Sequence, residues 1–331
     1  MTVLTRKVWF LLSILVFSQA SFGLTLELPD DGSSIVGVLE TAVVQEGETL
    51  LDIGRRFGVG YREIEAANPG VDPWVPKVGT EVIVPTRFVL PKAKRNGIVL
   101  NIPEMRLYYF PENAPEVVET YPVSIGRMDW KTPLGVTKVV SKVTNPSWYP
   151  PKSVRAEAKA DGRELPGVVP PGPDNPLGAH AMRLSIPGYL IHGTNRPAGV
   201  GMRVTHGCLR MFPEDIASLF QRVPVGTPVR IVNQPFKVGL KDSVLYLEAH
   251  TPLEEDKAFQ EKGLTLLTEA VVAATDETTT TIDWPMAESV YEQRRGVPYP
   301  FSERPVRISE DGSLDTWCDA QATVDLCGDS P

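Results

Sequence analysis

Cysteine and histidine are scarce in this chain, at three and four among 331 residues. That scarcity rules out a disulfide-stapled scaffold or a zinc-cluster protein, which need many such side chains at short spacing. Positive charge is also in deficit: 33 Lys and Arg face 41 Asp and Glu, for a formal charge of −8 and a pI near 5.2. No basic run stands out, so nucleic acid is excluded as a partner. Beyond the first two dozen residues no apolar run approaches membrane-spanning length. The chain does have length enough for two or three units, and at 42% hydrophobic it can bury real cores.

The opening "MTVLTRKVWFLLSILVFSQASFG" sets Arg6 and Lys7 before an apolar run, Val8 to Phe17, with small residues after it. This is the layout of a secretory signal peptide, residues 1–23, with cleavage after Ala20 or Gly23. The competing reading is a retained anchor, for which the run is short. Export implies a periplasmic, soluble mature protein, and losing Arg6 and Lys7 moves the charge from −8 to −10. In an oxidising compartment Cys318 and Cys327, in "WCDAQATVDLCG", are candidates for a disulfide. Two cysteines with no nearby histidine make a poor zinc signature, so no metal is expected. If those two pair, Cys208 is left over as a liability or a working nucleophile.

Residues 40–86 form a compact unit. "AVVQ" reads as a short strand, and Thr49 caps a helix with Asp52 in the capping-box position. Leu50, Ile53 and Phe57 share one face of that helix. "YREIEAANPG" gives a second helix stopped at Asn68-Pro69-Gly70, and "GTEVIVPT" a closing strand. "EGETLLDIGRRFGV", "ANPG" and "VGTEVIVP" in β-α-α-β order resemble a LysM module, which implies binding to glycans such as peptidoglycan. The alternative is a packing or orienting domain.

"TRFVLPKAKRNG", residues 86–97, reads as a basic, proline-containing linker. After it the pattern turns β-rich in "GIVLNI", "MRLYYF", "VVETYPVSIG" and "GVTKVVSKV", with turns at Pro103-Glu104 and "KTPLG". Residues 161–178 hold five prolines and four glycines, and we read them as one wall or lid of a cleft. Pro213 opens the clearest helix, with Glu214 and Asp215 in its first turn and Ile216, Leu219, Phe220 and Val223 as its buried stripe. "SVLYLEAH" reads as a strand, "TEAVVAATDETTTTIDW" as either type, and residues 234–331 as an accessory region without assigned chemistry. Trp148 and Tyr149 are assigned to core rather than to a cleft wall, and His180 and His250 to structural roles.

"IHGTNRPAGVGMRVTHGCLR", residues 191–210, concentrates two histidines, one cysteine and four glycines. A thiol needs deprotonation, an oriented base and donors for the developing oxyanion. His192 at the end of the strand "YLIHG" can be that base, with the Gly193 carbonyl holding its second nitrogen. Gly193 lets the chain turn tightly. Gly207 permits an unusual backbone angle, so that the amides around Cys208 can converge. Arg210 adds a charge that lowers the thiol pKa or holds a substrate carboxylate. A papain-like protease is excluded by order, because there cysteine precedes histidine.

The pattern H-G-T, ten residues, then T-H-G-C-x-R resembles the signature of the YkuD-fold L,D-transpeptidases. "EMRLYYF", "KTPLG", "GPDNPLG", "IHGTN" and "PVGTPVRIV" look like pieces of that family in the same order. The opening "LPDDGSSIVG" and "EAANPGVD" are most similar to its ErfK/YbiS type from Gram-negative bacteria. The resemblance implies a mainly β catalytic domain over 97–233, a YkuD-like β-sandwich with a short helix after the nucleophile, beside the α+β module. It implies Cys208 as nucleophile, His192 as general base and Gly193 as the residue whose carbonyl orients it. His206 becomes a site support or proton carrier, Arg210 the basic residue after the cysteine, and Thr205 stands where relatives carry serine. No cofactor is implied, and carbapenems acylate this family's cysteine. The donor would be a peptidoglycan tetrapeptide stem. The acceptor would be the C-terminal lysine of the murein lipoprotein, or alternatively a second stem peptide (3→3 cross-linking) or water (carboxypeptidation). The rival from another class is a non-catalytic peptidoglycan-binding protein.

Overall fold

The computed structural model describes residues 23–127, 131–275 and 280–303. The expected export signal, apart from Gly23, and both Cys318 and Cys327 lie outside the described residues. No helix among the described residues is long and apolar enough to cross a membrane.

The described chain opens with strand β1 (Leu24–Glu27) and continues through β2 (Ile35–Gly37) into β3 (Glu40–Val43). Two helices follow, α1 (Leu50–Arg56) and α2 (Tyr61–Ala67), and then β4 (Glu81–Val84), antiparallel to β3. The capping box forms as expected: the Asp52 N–H donates to Thr49 Oγ1 at 3.2 Å, and the Thr49 N–H to Asp52 Oδ2 at 3.0 Å. Leu50, Ile53, Ile64, Val82 and Val84 make its small core. The linker reading of residues 86–97 is corrected. Arg87–Val89 forms strand β5, antiparallel to β2, with Phe88 and Val89 buried. "RFV" presents two large apolar side chains, and the neighbouring β2 supplies backbone partners for them.

The next strands are β6 (Gly97–Asn101), β7 (Arg106–Phe110), β8 (Val117–Pro122), β9 (Ile125–Gly126) and β10 (Gly135–Thr144). Helix α3 (Lys152–Ala160) precedes β11 (His180–Leu184), β12 (Leu190–His192), β13 (Arg203–Thr205) and β14 (Leu209–Arg210). Helix α4 (Pro213–Arg222) and β15 (Pro228–Val232) complete the unit. Nine strands form one sheet in the order β1-β8-β7-β6-β15-β10-β11-β12-β14, while β13 pairs separately with β9. Tyr121 near one end of the sheet and Leu209 at the other belong to one core with Ile216 and Leu219 of α4, so the sheet curls around that helix. Strand β1 is antiparallel to β8, so the catalytic sheet recruits a strand from far outside 97–233.

Two aromatic assignments change. Tyr149 is 69% exposed, not core: it lies outside the strands, between Trp148, which bridges to Val169, and Pro150-Pro151. Trp148 is half-buried. Phe220 is only partly buried; the His180 ring stands 4.8 Å from its centroid and Lys142 Nζ 4.6 Å.

Strands β16 (Phe236–Lys241) and β17 (Val244–Ala249) form a hairpin, followed by α5 (Lys257–Thr275), α6 (Trp284–Gln293) and β18 (Tyr299–Pro300). "SVLYLEAH" is therefore a strand, and the segment open to either type is helical as far as Thr275. This region has its own core of Leu247, Leu267, Val271, Ala287 and Phe301.

Two buried ionic groups lock the units together. Arg106 on β7 is fully buried and bidentate to Glu63 on α2, at 2.6 and 3.0 Å. The same guanidinium donates to Thr120 Oγ1 and to the Gly58 carbonyl, so each of its three nitrogens has a partner. Lys237 Nζ lies 2.9 Å from Glu104 and 2.8 Å from Glu248, and His250 Nε2 is 2.5 Å from Glu248. Glu104, Glu248 and His250 are close enough to hold an ion, but the Lys237 ammonium already supplies the cation there.

Candidate active site

His192 ends β12, and β14 runs parallel beside it with His192 opposite Arg210. Partner positions share a face and side chains alternate along a strand, so Cys208 and Arg210 lie on the side that His192 faces. The Ser124 N–H donates to the Arg210 carbonyl at 2.8 Å and the Arg210 N–H to the Ser124 carbonyl at 3.1 Å, which fixes the short strand from its other edge.

The turn carrying Cys208 is held at every residue. Thr205 Oγ1 donates to the Cys208 carbonyl at 2.6 Å, and the Arg127 N–H to the Thr205 carbonyl at 3.0 Å. Thr132 Oγ1 donates to the Gly207 carbonyl at 3.1 Å. Gly207 has φ +96°, a region that side-chain-bearing residues rarely enter, as its place in the motif suggested. Gly193 does not: its φ is ordinary, and the expected tight turn is replaced by close packing. A Cβ there would stand 3.1 Å from Ile216 Cγ2 on α4.

The electrostatics favour an uncharged pair. His192 is buried, and its Nδ1–H donates to the Gly193 carbonyl at 2.6 Å, which leaves Nε2 as the lone-pair nitrogen. Burial, assisted by the Arg210 charge, holds its pKa down to about 4, against the pull of the Gly193 and Leu177 carbonyls. The Cys208 thiol is pushed above its ordinary value by burial, although the Leu190 N–H and the Arg210 charge work the other way. Arg210 thus acts in the expected direction, and burial outweighs it. The Cys208 S–H points at the Gly188 carbonyl, 3.5 Å away. The resting centre is a thiol and a neutral imidazole.

His206 turns away from this pair toward α3, with Nε2 2.7 Å from Glu157 Oε2. Arg127, Glu157, Ser124 and Thr132 were not singled out from sequence. They lie 51 to 84 residues before Cys208 in the chain, and only Thr132 falls in a stretch with a signal of its own, the turn "KTPLG". His180 and His250 stand apart from Cys208, the first against Phe220 and the second against Glu248.

A buried neutral imidazole oriented by a backbone carbonyl, sharing a sheet edge with a half-buried thiol, is the equipment of a cysteine-dependent acyltransferase. The chain belongs to the L,D-transpeptidase family. Residues 95–231 match the L,D-transpeptidase catalytic domain and residues 42–85 the LysM domain. The probable L,D-transpeptidase YcfS of Escherichia coli K12 is 46% identical over 237 residues, covering 70% of this chain and 74% of the relative. YbiS of the same strain is 38% identical over 293 residues, covering 86% and 94%. ErfK/SrfK of Salmonella typhimurium LT2 is 38% identical over 294 residues, covering 87% and 94%. The catalytic domain of the E. faecium L,D-transpeptidase, solved by NMR, is 21% identical with a TM-score of 0.33, over 43% of this chain and 100% of that one. This protein is accordingly an enzyme, an L,D-transpeptidase.

Proposed function

We propose that this is a periplasmic enzyme that transfers a peptidoglycan tetrapeptide stem to the C-terminal lysine of the murein lipoprotein, with Cys208 as nucleophile and His192 as general base. In this reading residues 40–86 hold glycan and residues 97–233 carry out the transfer. The observation that carries it is the Nδ1–H of His192 donated to Gly193, which leaves Nε2 free to take the thiol proton.

Sulfur attacks the L-centre carbonyl of the third stem residue, meso-diaminopimelate, and the amides around Gly207 and Cys208 receive the oxyanion. The C–N bond to D-alanine breaks, His192 returns the proton to the leaving amine, and a thioester remains. The acceptor amine attacks the thioester, loses a proton to His192, and the released sulfur takes that proton back. Thr205 keeps the turn closed, His206 supports it, and Arg210 holds a substrate carboxylate.

The test is mass spectrometry of the purified protein with a disaccharide-tetrapeptide, with and without a lipoprotein C-terminal peptide ending in lysine. A lysine-linked product that is lost in Cys208→Ala supports the whole reading. Stem-to-stem dimers or a tripeptide would keep the thioester and move the acceptor to peptidoglycan or water. Intact tetrapeptide in every tube would overturn it.

A further inference from the structure

Between β10 and β11 the chain makes an excursion, residues 145–179, that carries α3. Its two ends are tied beside the active site. The Asn145 N–H donates to the Ala179 carbonyl at 2.7 Å, and Asn175 Nδ2 donates to the Pro146 carbonyl at 2.7 Å. Gly178 lies so close to Gly193 and Thr194 that a Cβ would stand 2.8 Å from the Thr194 nitrogen. The middle of the excursion is tied differently. Glu157 on α3 splits its carboxylate, with Oε2 2.7 Å from His206 Nε2 and Oε1 2.6 Å from Arg127 Nη2. Both partners hold its carboxyl below the usual carboxylate range, Arg127 first.

These partners already belong to the nucleophile's turn. Arg127 grips Thr205 through its backbone amide, and His206 is two residues before Cys208. Glu157 therefore joins the arm to the motif at two points. His206 Nε2 also lies 3.4 Å from Arg127 Nη2, so the three side chains form one cluster.

We propose that Glu157 is a positioning residue for acyl transfer: it fixes His206 and latches the α3 arm beside Cys208 as one wall of the stem-peptide channel. The proposal rests on the reading of Cys208 as nucleophile given above. The latch suits a wall that must open for a bulky donor. Its members are about one-third exposed, at 38%, 34% and 34% for Arg127, Glu157 and His206. Pairs at such exposure bias an arm toward closure by only about two- to tenfold.

The test compares wild type with Glu157→Ala and Glu157→Gln in three measurements. With the disaccharide-tetrapeptide donor, KM is expected to rise about two- to tenfold in Glu157→Ala, and less in Glu157→Gln, while kcat stays within about twofold. Raising salt from about 0.05 M to about 0.5 M should raise the wild-type KM more than that of the variant, whose remaining salt dependence is that of the Arg210 contact to substrate, so that the gap between them narrows. Alkylation of Cys208 by iodoacetamide, too small to need the arm, should keep its rate. Independently of turnover, hydrogen exchange of the α3 amides should accelerate about two- to tenfold in Glu157→Ala. Unchanged KM and unchanged α3 exchange would overturn the proposal. So would a loss of activity matched by slower alkylation, which would mean that the site itself is distorted. Inactivity of the wild type on the donor would instead refute the functional reading, and the exchange measurement would still decide whether the latch exists.

Discussion

Replacing Arg210 by glutamine removes one charge that acts on both reacting groups. Side chains on neighbouring strands lie roughly 5–6 Å apart, and a unit charge at that distance with an effective dielectric near 20 is worth about 3 kcal/mol, or two pKa units. Arg210 is half-buried, so screening cuts this to about one unit. Burial, the larger cause at His192, is untouched by the substitution. The His192 pKa should therefore rise from about 4 toward about 5, and the Cys208 thiol should climb as well. Because both move in the same direction, the two shifts offset one another in the internal transfer of a proton from sulfur to imidazole. The acid limb of kcat/KM then shifts upward by about one unit. If Arg210 holds a substrate carboxylate as proposed, activity at neutral pH should also fall about 10- to 100-fold. The assay is the pH profile of kcat/KM with the thiolate absorbance measured in parallel, on protein whose circular dichroism and Tm match wild type. An acid limb still at about 4 in folded Arg210→Gln would refute the reasoning.

Three further outcomes follow from the buried groups. In the wild type, kcat/KM should fall on the acid side near pH 4 rather than near 6.5. Stability, too, should decline as pH drops between those values, because the unfolded chain takes up a proton that native His192 refuses; a titration near 6.5 by NMR would contradict this. Asp215, 2% exposed with Oδ2 lacking a partner, is pushed up to about 8 by burial and by Glu214. The unfolded carboxyl ionises from about pH 4 while the native one stays protonated, so stability is lost as pH rises from about 4 to about 8. Asp215→Asn should remove that slope and gain on the order of a few kcal/mol at pH 7 in urea titrations, and a destabilised variant there would count against it. Glu63→Gln leaves Arg106 buried without its counter-charge and should cost about 3–5 kcal/mol, read as a lower denaturation midpoint; a loss below about 1 kcal/mol would mean that the ion pair does not lock α2 to β7.

Much of the local structure was legible in short stretches, for reasons that act over a few residues. Thr49 and Asp52 cap α1 through bonds three residues apart, Pro213 starts α4, and Gly207 takes a positive φ inside its own turn. Legibility failed where the deciding neighbour was distant. "RFV" looked like linker because β2, which pairs with it, lies about fifty residues earlier. Tyr149 looked like core because an aromatic side chain beside Trp148 gives no local sign of which of the two faces solvent.

The sequence by itself determined the candidates for the chemistry: where the thiol stands, which imidazoles lie near it in the chain, and which glycine opens the turn. Those follow from side-chain identity and backbone freedom, which are local properties. Only the tertiary structure decided how those groups are set. The low pKa of His192 and the raised one of Cys208 come from burial in a curled sheet, and the Glu157 latch from an arm that returns to the motif. Desolvation and Coulomb contacts depend on distances through space, and folding alone brings residues 127, 157 and 206 within reach of one another.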